Sequence, residues 1–476
     1  MRRICLSLLL VAPLLAPPAL LSQNQSGSEH RGKALALGVD YADQVHHGGH
    51  FGYIYNEPKI RDLVRTAKRA GIDEIHWRVS AVGVVTYRSK VMTVMDGSRL
   101  SNPNFASIGV ILKQCDPLAV AIDEAHRLSM KLFVYITLFD FAYPGMESDF
   151  FRKHPEYYSR LAGVRADQAK TGLPGAKEAE EFYKTVRTGG YPAKLSIREQ
   201  DGTAPYVRGV PDFGYPEVRE HLLAQVRELI AYKPDGIYFD VSRTHAGVYP
   251  VVLLPGYPQW TSPYLSYGYN EPEIARYKER YGKNPPLRWH DNLRDIEVTK
   301  DEENWNAVRG SFLTDFLRQA SNLVHASGMK VIVAFYPTTY NFYQPGTQTR
   351  PPLGHIQIEW RTWCDEKLID IIRLEVDHRK HGYDDWVDNS AKTYKYAQDR
   401  GIKVYLDCAI EHAFDVLKTP PVPLPIREAT QPDLYYKIIS DTTRNILNSS
   451  ADGVVYYEAG HNTEGLYEAI RRGAGR

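Results

Sequence analysis

One short run combines an apolar strand with a carboxylate at its end. Lys233-Pro234-Asp235-Gly236-Ile237-Tyr238-Phe239-Asp240 follows an amphipathic helical stretch, and Asp240 is its last residue. A helix, a tight turn, an apolar strand and a terminal polar group form the repeating unit of a parallel barrel, in which catalytic groups lie at the carboxyl ends of strands. We therefore predict that Asp240 is a catalytic acid, base or nucleophile.

Carboxylates end other strand-like runs as well. They are Asp40, Asp140, Glu375, Asp377, Asp407, Glu411 and Glu458. Side chains alternate in direction along a strand, so only some of these face one cleft. The apolar run around Glu375 would raise the pKa of its carboxyl group and suit it to act as an acid, which makes it the predicted partner of Asp240. An ion pair with Arg373 or Arg78 is the alternative for Glu375, and Glu411 and Glu458 are competing acids.

A second set of polar residues falls at the same predicted strand ends. We expect seven of them to bind substrate: Asp40, Arg78, Arg243, His245, Asp377, Glu411 and Glu458. The two arginines are predicted either to orient a carboxylate or to recognise an acidic sugar. Tyrosine accounts for 33 residues, and its flat apolar face with a terminal hydroxyl suits contact with sugar rings.

Histidines also gather at the predicted strand ends. They are His46, His47, His50, His245, His378, His381, His412 and His461. A hydrolytic zinc site needs three converging ligands and an open position. No His-x-His pair lies on the first strand, since His46-His47 is predicted in a loop beyond Asp40. We therefore predict no metal and no cofactor, and the glycine pairs lack the spacing of a dinucleotide site.

Eight strand-like runs alternate with helical stretches along the chain. The runs are Leu35 to Asp40, Glu74 to Val79, Lys131 to Ile136, Gly236 to Asp240, Lys330 to Phe335, Ile371 to Val376, Lys403 to Leu406 and Gly453 to Tyr457. This alternation predicts an α/β fold, a (β/α)8 TIM barrel. Helices are predicted from the N-cap Asp116 through Ala125, from Pro216 with an apolar stripe at Val218, Leu222, Val226 and Leu229, and from Phe312 to Val324.

Three long insertions follow predicted strands on the same face of the barrel. They are Asp140 to Pro211, Ser242 to Asn306 and Tyr336 to Ile358. Loops of this length are usually functional or flexible, so we expect them to wall a cleft for an extended substrate. Solvated decoration or an oligomer contact is the alternative. Residues 34–476 are predicted to form one elaborated catalytic domain. No pattern in the sequence indicates how many copies of the chain associate.

The amino terminus has the pattern of an export signal. Arg2 and Arg3 precede an apolar stretch from Leu6 to Leu21, which predicts a signal peptide over residues 1–22 and a flexible segment over 23–33. Prolines within the stretch argue against a membrane anchor, and no later stretch is long enough to span a membrane. We thus expect an extracytoplasmic protein, periplasmic or secreted. Cys115, Cys364 and Cys408 would remain, as mostly buried thiols with at most one bridge.

The chain has 58 Lys plus Arg against 57 Asp plus Glu, a formal net charge of +1. No overall field attracts nucleic acid or an anionic membrane, so a neutral partner is favoured.

An ordered set of motifs resembles the bacterial family-10-like glycosyl hydrolases. Asp116-Pro117-Leu118 with Ala125-His126 resembles the family's DPL…AH stretch, and His154-Pro155-Glu156 resembles its HPEW. Further matches follow in chain order: Asp212 with Gly214 and Pro216 to Glu220, Asp235 to Asp240, Trp360 to Trp363, and Leu368 to Asp370. The resemblance runs from about Ala34 to Val376. It implies a secreted carbohydrate-active barrel with Asp240 as the key carboxylate, but the family's second aspartate of strand four is Val241 here.

These patterns together predict a secreted glycoside hydrolase that acts on a polysaccharide or glycan through paired carboxylates. A metal-dependent hydrolase that uses the rim histidines is one alternative. A carbohydrate-binding barrel without catalysis is the other, because a fold does not fix a function.

Overall fold

A computed structural model describes the barrel and most of the helices around it. The described residues are 32–50, 54–98, 103–143, 146–160, 197–198, 206–241, 268–286, 299–335, 356–374, 394–409, 413–414, 425–426, 430–457 and 464–476. The predicted signal peptide and most of the three predicted insertions lie outside these residues.

Eight parallel strands close into a barrel, which confirms the predicted fold class. We number them in chain order: β1 (Ala34–Asp40), β2 (Glu74–Arg78), β3 (Lys131–Thr137), β4 (Gly236–Asp240), β5 (Lys330–Phe335), β6 (Ile371–Leu374), β7 (Lys403–Ala409) and β8 (Gly453–Tyr457). Each strand pairs with its neighbours in the chain, and β8 pairs with β1. A closed sheet has no free edge, so every strand is bonded on both sides.

Helices lie between the strands and cover the outside of the barrel. They are α1 (Tyr41–His50), α2 (Glu57–Arg69), α3 (Pro103–Gln114), α4 (Pro117–Arg127), α5 (Asp149–Lys153), α6 (Pro216–Ile230), α7 (Glu271–Tyr281), α8 (Lys300–Ala326), α9 (Trp360–Asp365), α10 (Pro432–Asn448) and α11 (Glu464–Ala474). The predicted stripe of α6, Val218 to Leu229, is buried in the core between the helices and the barrel. Helices that pack their apolar faces on a parallel barrel leave its strands buried on both faces.

Small sheets form in the segments that follow the strands. They pair Ser80–Ala81 with Val84–Val85, Ala142–Tyr143 with Met146–Glu147, and Ala413–Phe414 with Pro425–Ile426. A three-stranded sheet joins Tyr158–Arg160, Tyr206–Pro211 and Ile197–Arg198, and a 3-10 turn covers Pro155–Tyr157. The insertion after β3 therefore has its own secondary structure.

The local predictions are mostly confirmed, with two corrections. Asp116 caps α4 by accepting a hydrogen bond from the backbone of Leu118, and β5 and β8 have the predicted bounds. The predicted loop that holds His46 and His47 is wrong: these residues lie in α1, which Gly48-Gly49 concealed because glycine disfavours helices. Helix α8 starts at Lys300 instead of the predicted Phe312, because Thr299 and Glu302 form a capping box at its amino-terminal end.

The amino-terminal end of the barrel repeats one motif four times. An aspartate precedes each even-numbered strand, and its carboxylate accepts a hydrogen bond from the backbone of the preceding odd-numbered strand. The pairs are Asp73 with Leu35, Asp235 with Leu132, Asp370 with Val331, and Asp452 with Val404, at 2.8 to 3.1 Å. Each carboxylate thereby satisfies a backbone N–H at the start of a strand.

The three cysteines within the described residues, Cys115, Cys364 and Cys408, are buried free thiols, as expected. Across the described part of the chain, no helix has both the length and the apolar character needed to cross a membrane.

Candidate active site

Alternation along the strands decides which side chains enter the barrel. The apolar interior is formed by Ala36, Phe133, Tyr135, Tyr238, Ile332, Ala334, Ile371, Tyr405, Val455 and Tyr457. Asp40, Arg78, Asp240, Arg373 and Asp407 fall on the same inward-facing positions, near the carboxyl ends of β1, β2, β4, β6 and β7. The parallel strands therefore bring three acids and two arginines, which are far apart in the sequence, to one end of the barrel.

Asp240 is completely buried at the end of β4. The hydroxyl of Tyr135, on the neighbouring strand β3, donates a hydrogen bond to Oδ2 of Asp240. The ring of Tyr135 stacks on that of Tyr238, with centroids 4.3 Å apart and planes 19° apart. The stacked rings therefore fix the position of the hydroxyl that contacts Asp240.

Arg78 lies at the centre of an ion-pair cluster on the same face. Its guanidinium donates to Asp40, to Oδ2 of Asp140 at 2.6 Å and to the carbonyl oxygen of Ser80 at 2.8 Å. Arg78, Asp40 and Asp140 are all at most 2% exposed. Burial alone would lower the pKa of Arg78, but the Asp40 carboxylate and its other neighbours raise that pKa well above its usual value. The cluster is therefore a permanently charged support.

Arg373, on β6, forms a second buried ion pair with Asp407 of the neighbouring strand β7. Its Nη2 lies 3.1 Å from Oδ1 of Asp407, and its Nη1 donates to the hydroxyl of Tyr238. The guanidinium carbon is also 4.8 Å from the centre of the Tyr457 ring. Asp407 therefore lies beside a buried cation.

Below this layer, polar groups continue toward the amino-terminal end of the barrel. Glu74 contacts Lys131 at 3.2 Å and the hydroxyl of Tyr405 at 3.3 Å. His76 is fully buried, and its Nε2 is 3.7 Å from Glu74, which is beyond hydrogen-bonding distance. Burial lowers the pKa of His76, so the ring is neutral at physiological pH.

The structure brings together three of the nine residues predicted for the site: Asp240, Asp40 and Arg78. The other six lie outside the described residues: Glu375, Arg243, His245, Asp377, Glu411 and Glu458. Among the rim histidines, His245, His378, His381, His412 and His461 also lie outside them. Within the described residues, no group of three or more His, Cys, Asp or Glu side chains is arranged to hold a metal ion.

Three participants were not predicted as site residues: Tyr135, Tyr238 and Arg373. Asp407 was predicted only as one of the carboxylates at strand ends. The sequence does contain a signal for them. In a strand that is buried on both faces, polar side chains two residues apart mark the face that enters the barrel, and Arg373 and Tyr135 both occupy such positions.

Comparisons with known proteins complete this description. No family model matches the chain, and no curated protein is similar to it in sequence. The chain is similar in structure to the catalytic domain of a β-amylase from Paenibacillus polymyxa, at 11% identity and a TM-score of 0.44, over 92% of this chain and 98% of that one. It is also similar to a maltogenic α-amylase from Thermotoga neapolitana, at 11% identity and a TM-score of 0.42, over 94% of this chain and 76% of that one. A third similar structure is a class V chitinase from Pseudomonas fluorescens, at 9% identity and a TM-score of 0.40, over 92% of this chain and 99% of that one. The barrel fold of this chain itself follows from the strand pairing described above.

Proposed function

We propose that this protein is a glycoside hydrolase that acts on a polysaccharide or glycan, with Asp240 as one of its two catalytic carboxyl groups. The observation that supports the proposal is the position of Asp240. It is buried at the carboxyl end of a barrel strand, faces the interior and accepts a hydrogen bond from Tyr135. Barrel enzymes place their reacting groups at this end of the strands, and glycoside hydrolysis pairs an ionised carboxylate with a protonated one.

Glu375 is the proposed second carboxyl group. In the sequence it follows Arg373 by two residues, which is the spacing at which side chains of one strand share a face. The described carboxylates Asp40, Asp140 and Asp407 each pair with an arginine, which favours their ionised form and makes them poor proton donors. Glu375 therefore remains the better proposal for the acid.

Five residues are proposed to bind the hydroxyl groups of the sugar: Arg243, His245, Asp377, Glu411 and Glu458. The contacts of Arg78 with Asp40 and Asp140 favour an orienting role for this arginine over recognition of an acidic sugar. We also propose that the protein is exported and acts outside the cytoplasm. Amino-terminal sequencing of protein from the native host would test this, and an intact Met1 in a cytoplasmic fraction would contradict it.

The activity is tested with a panel of polysaccharides and chromogenic aryl glycosides, followed by product analysis. On the substrate that is hydrolysed, Asp240→Asn should reduce turnover by about 10²- to 10⁴-fold, the loss expected for a catalytic acid or base, and by more for a nucleophile. Asp235→Asn is the matched control, because it makes the same change at the opposite end of the same strand. Its amide oxygen can still accept the hydrogen bond from Leu132.

Three outcomes would contradict the proposal. Near-normal turnover by a folded Asp240→Asn protein would remove Asp240 from the mechanism. Loss of hydrolysis after treatment with a strong chelator, with recovery on addition of zinc, would instead favour the metal-dependent alternative. Binding of a glycan without any product would indicate a non-catalytic carbohydrate-binding barrel.

A further inference from the structure

Tyr135 contacts Asp240 and also two other residues of the site, Tyr238 and Arg78. Its hydroxyl donates to Asp240, and its ring stacks on Tyr238. The guanidinium carbon of Arg78 lies 5.8 Å from the centre of the same ring. All four side chains are at most 2% exposed, so their contacts are not exchanged for contacts with bulk water.

A fixed cation beside the ring changes how strongly the phenol donates. Positive charge near an aromatic ring is attracted to its electron density. It also stabilises the negative charge that the phenol oxygen acquires as its proton is shared with a carboxylate. Arg78 cannot turn away, because Asp40, Asp140 and the carbonyl of Ser80 hold its guanidinium. The low dielectric of the barrel interior strengthens each of these interactions.

We infer that Tyr135 is a positioning residue that keeps Asp240 ionised, and that Arg78 acts on Asp240 through Tyr135. This inference rests on the proposed glycosidase function and assigns Asp240 the part of nucleophile or base. Protonation of the leaving group then belongs to the second carboxyl group. Asp40 and Arg78, which the sequence analysis assigned to substrate binding, become the support of a catalytic carboxylate.

Tyr135→Phe tests the inference because it removes the donor and retains the ring. Tyr405→Phe is the matched control. It removes a hydroxyl from another buried tyrosine of the same barrel interior, one that contacts Glu74 at the opposite end. Both variants should lose some stability, but only Tyr135→Phe should change the ionisation of Asp240.

Two readouts separate positioning from a structural role. The first is the pH profile of kcat/KM on the aryl glycoside with the highest wild-type rate. Loss of a hydrogen bond to a charged group should move its acid limb upward by roughly 1 to 2 pH units in Tyr135→Phe, with the rate recovering at higher pH. The second needs no substrate. It is an infrared titration of the protonated carboxyl band, taken as the difference between each protein and the same protein carrying Asp240→Asn.

A third variant covers the case in which Tyr135→Phe does not fold. Incorporation of 3-fluorotyrosine at position 135 gives a more acidic phenol of nearly the same size, and the acid limb should then move to lower pH. The inference is overturned if the midpoint of either readout stays at the wild-type value while the rate falls equally at every pH, as in Tyr405→Phe. It is also overturned if the alkaline limb moves instead. If no glycoside is hydrolysed, the proposed function fails, and the infrared midpoint still decides the role of Tyr135.

Discussion

At the scale of single residues, the site depends on charges that are buried in pairs. Arg373 is fully buried and contacts both Asp407 and Tyr238. Removing one partner of a buried pair leaves the other charge in a low-dielectric interior without compensation, which costs far more than loss of a surface pair. Arg373 therefore stabilises the fold and also fixes the tyrosine that stacks on Tyr135.

We expect Arg373→Met to lower the free energy of unfolding by roughly 3 to 5 kcal/mol, because Asp407 would remain buried beside an apolar side chain. Arg444→Met is the control, since Arg444 is 46% exposed and pairs with Asp441 on the surface, where such a pair contributes little. Urea unfolding measures both changes. Equal, small losses in the two variants would show that Arg373 is not a buried structural charge.

At the scale of elements, two buried carboxyl groups join the segments that follow β3 and β4. Asp212 precedes α6, and Glu273 lies in the first turn of α7. They meet above Gly214: a β-carbon at this residue would lie 2.3 Å from Oε1 of Glu273 and 2.8 Å from Oδ1 of Asp212. Burial raises the pKa of both groups, that of Glu273 well above its usual value. Burial and the neighbouring Asp212 therefore favour the protonated form of Glu273.

This pair predicts that stability falls as pH rises. A carboxyl group whose pKa is higher in the folded state stabilises the protein below its unfolded pKa of about 4.3, and that contribution is lost as pH increases through the folded value. Glu273→Gln keeps a donor to Asp212 without a titrating proton, so its unfolding free energy should fall less between about pH 5 and pH 9, by up to about 1.4 kcal/mol per pH unit. Urea unfolding across this range measures the difference.

Glu271→Gln, an exposed change in the same first turn of α7, should retain the wild-type dependence on pH. If the free energy of unfolding changed with pH in the same way in the wild type and in Glu273→Gln, Glu273 would be ionised in the folded protein.

At the scale of the whole molecule, hydrogen bonds at the point where the barrel closes contribute to the stability of the entire fold. Asp452 precedes β8, the strand that joins β7 to β1. Its carboxylate accepts from the backbone of Val404, and its carbonyl accepts from that of Ala34. One residue thus connects three strands at the point where the sheet closes.

We expect Asp452→Ala to lower the free energy of unfolding by about 1 to 3 kcal/mol, because the partly buried backbone N–H of Val404 would lose its acceptor. Asp452→Asn retains an acceptor and should remain close to the wild type. Far-ultraviolet circular dichroism and tryptophan fluorescence should report the same lowered urea midpoint for Asp452→Ala. Two separate transitions would show that the effect stays local.

The sequence by itself determined the eight strands, because short apolar runs alternate with helical stretches along the chain. It also determined the cap of α4 and the buried stripe of α6, since caps and apolar periodicity are local patterns. It placed Asp240, Asp40 and Arg78 at strand ends, and this is where the structure has them.

Only the tertiary structure decided which of these residues meet. Tyr135 and Asp240 are 105 positions apart, and Arg78 and Asp140 are 62 apart. Their contacts depend on the register between neighbouring strands, which pairs Tyr238 with Tyr135 and Arg78 with Asp40. A shift of one residue would turn each side chain to the opposite face. Local periodicity defines the faces of each strand, but the register, and with it the choice of partners, follows from packing of the whole closed barrel.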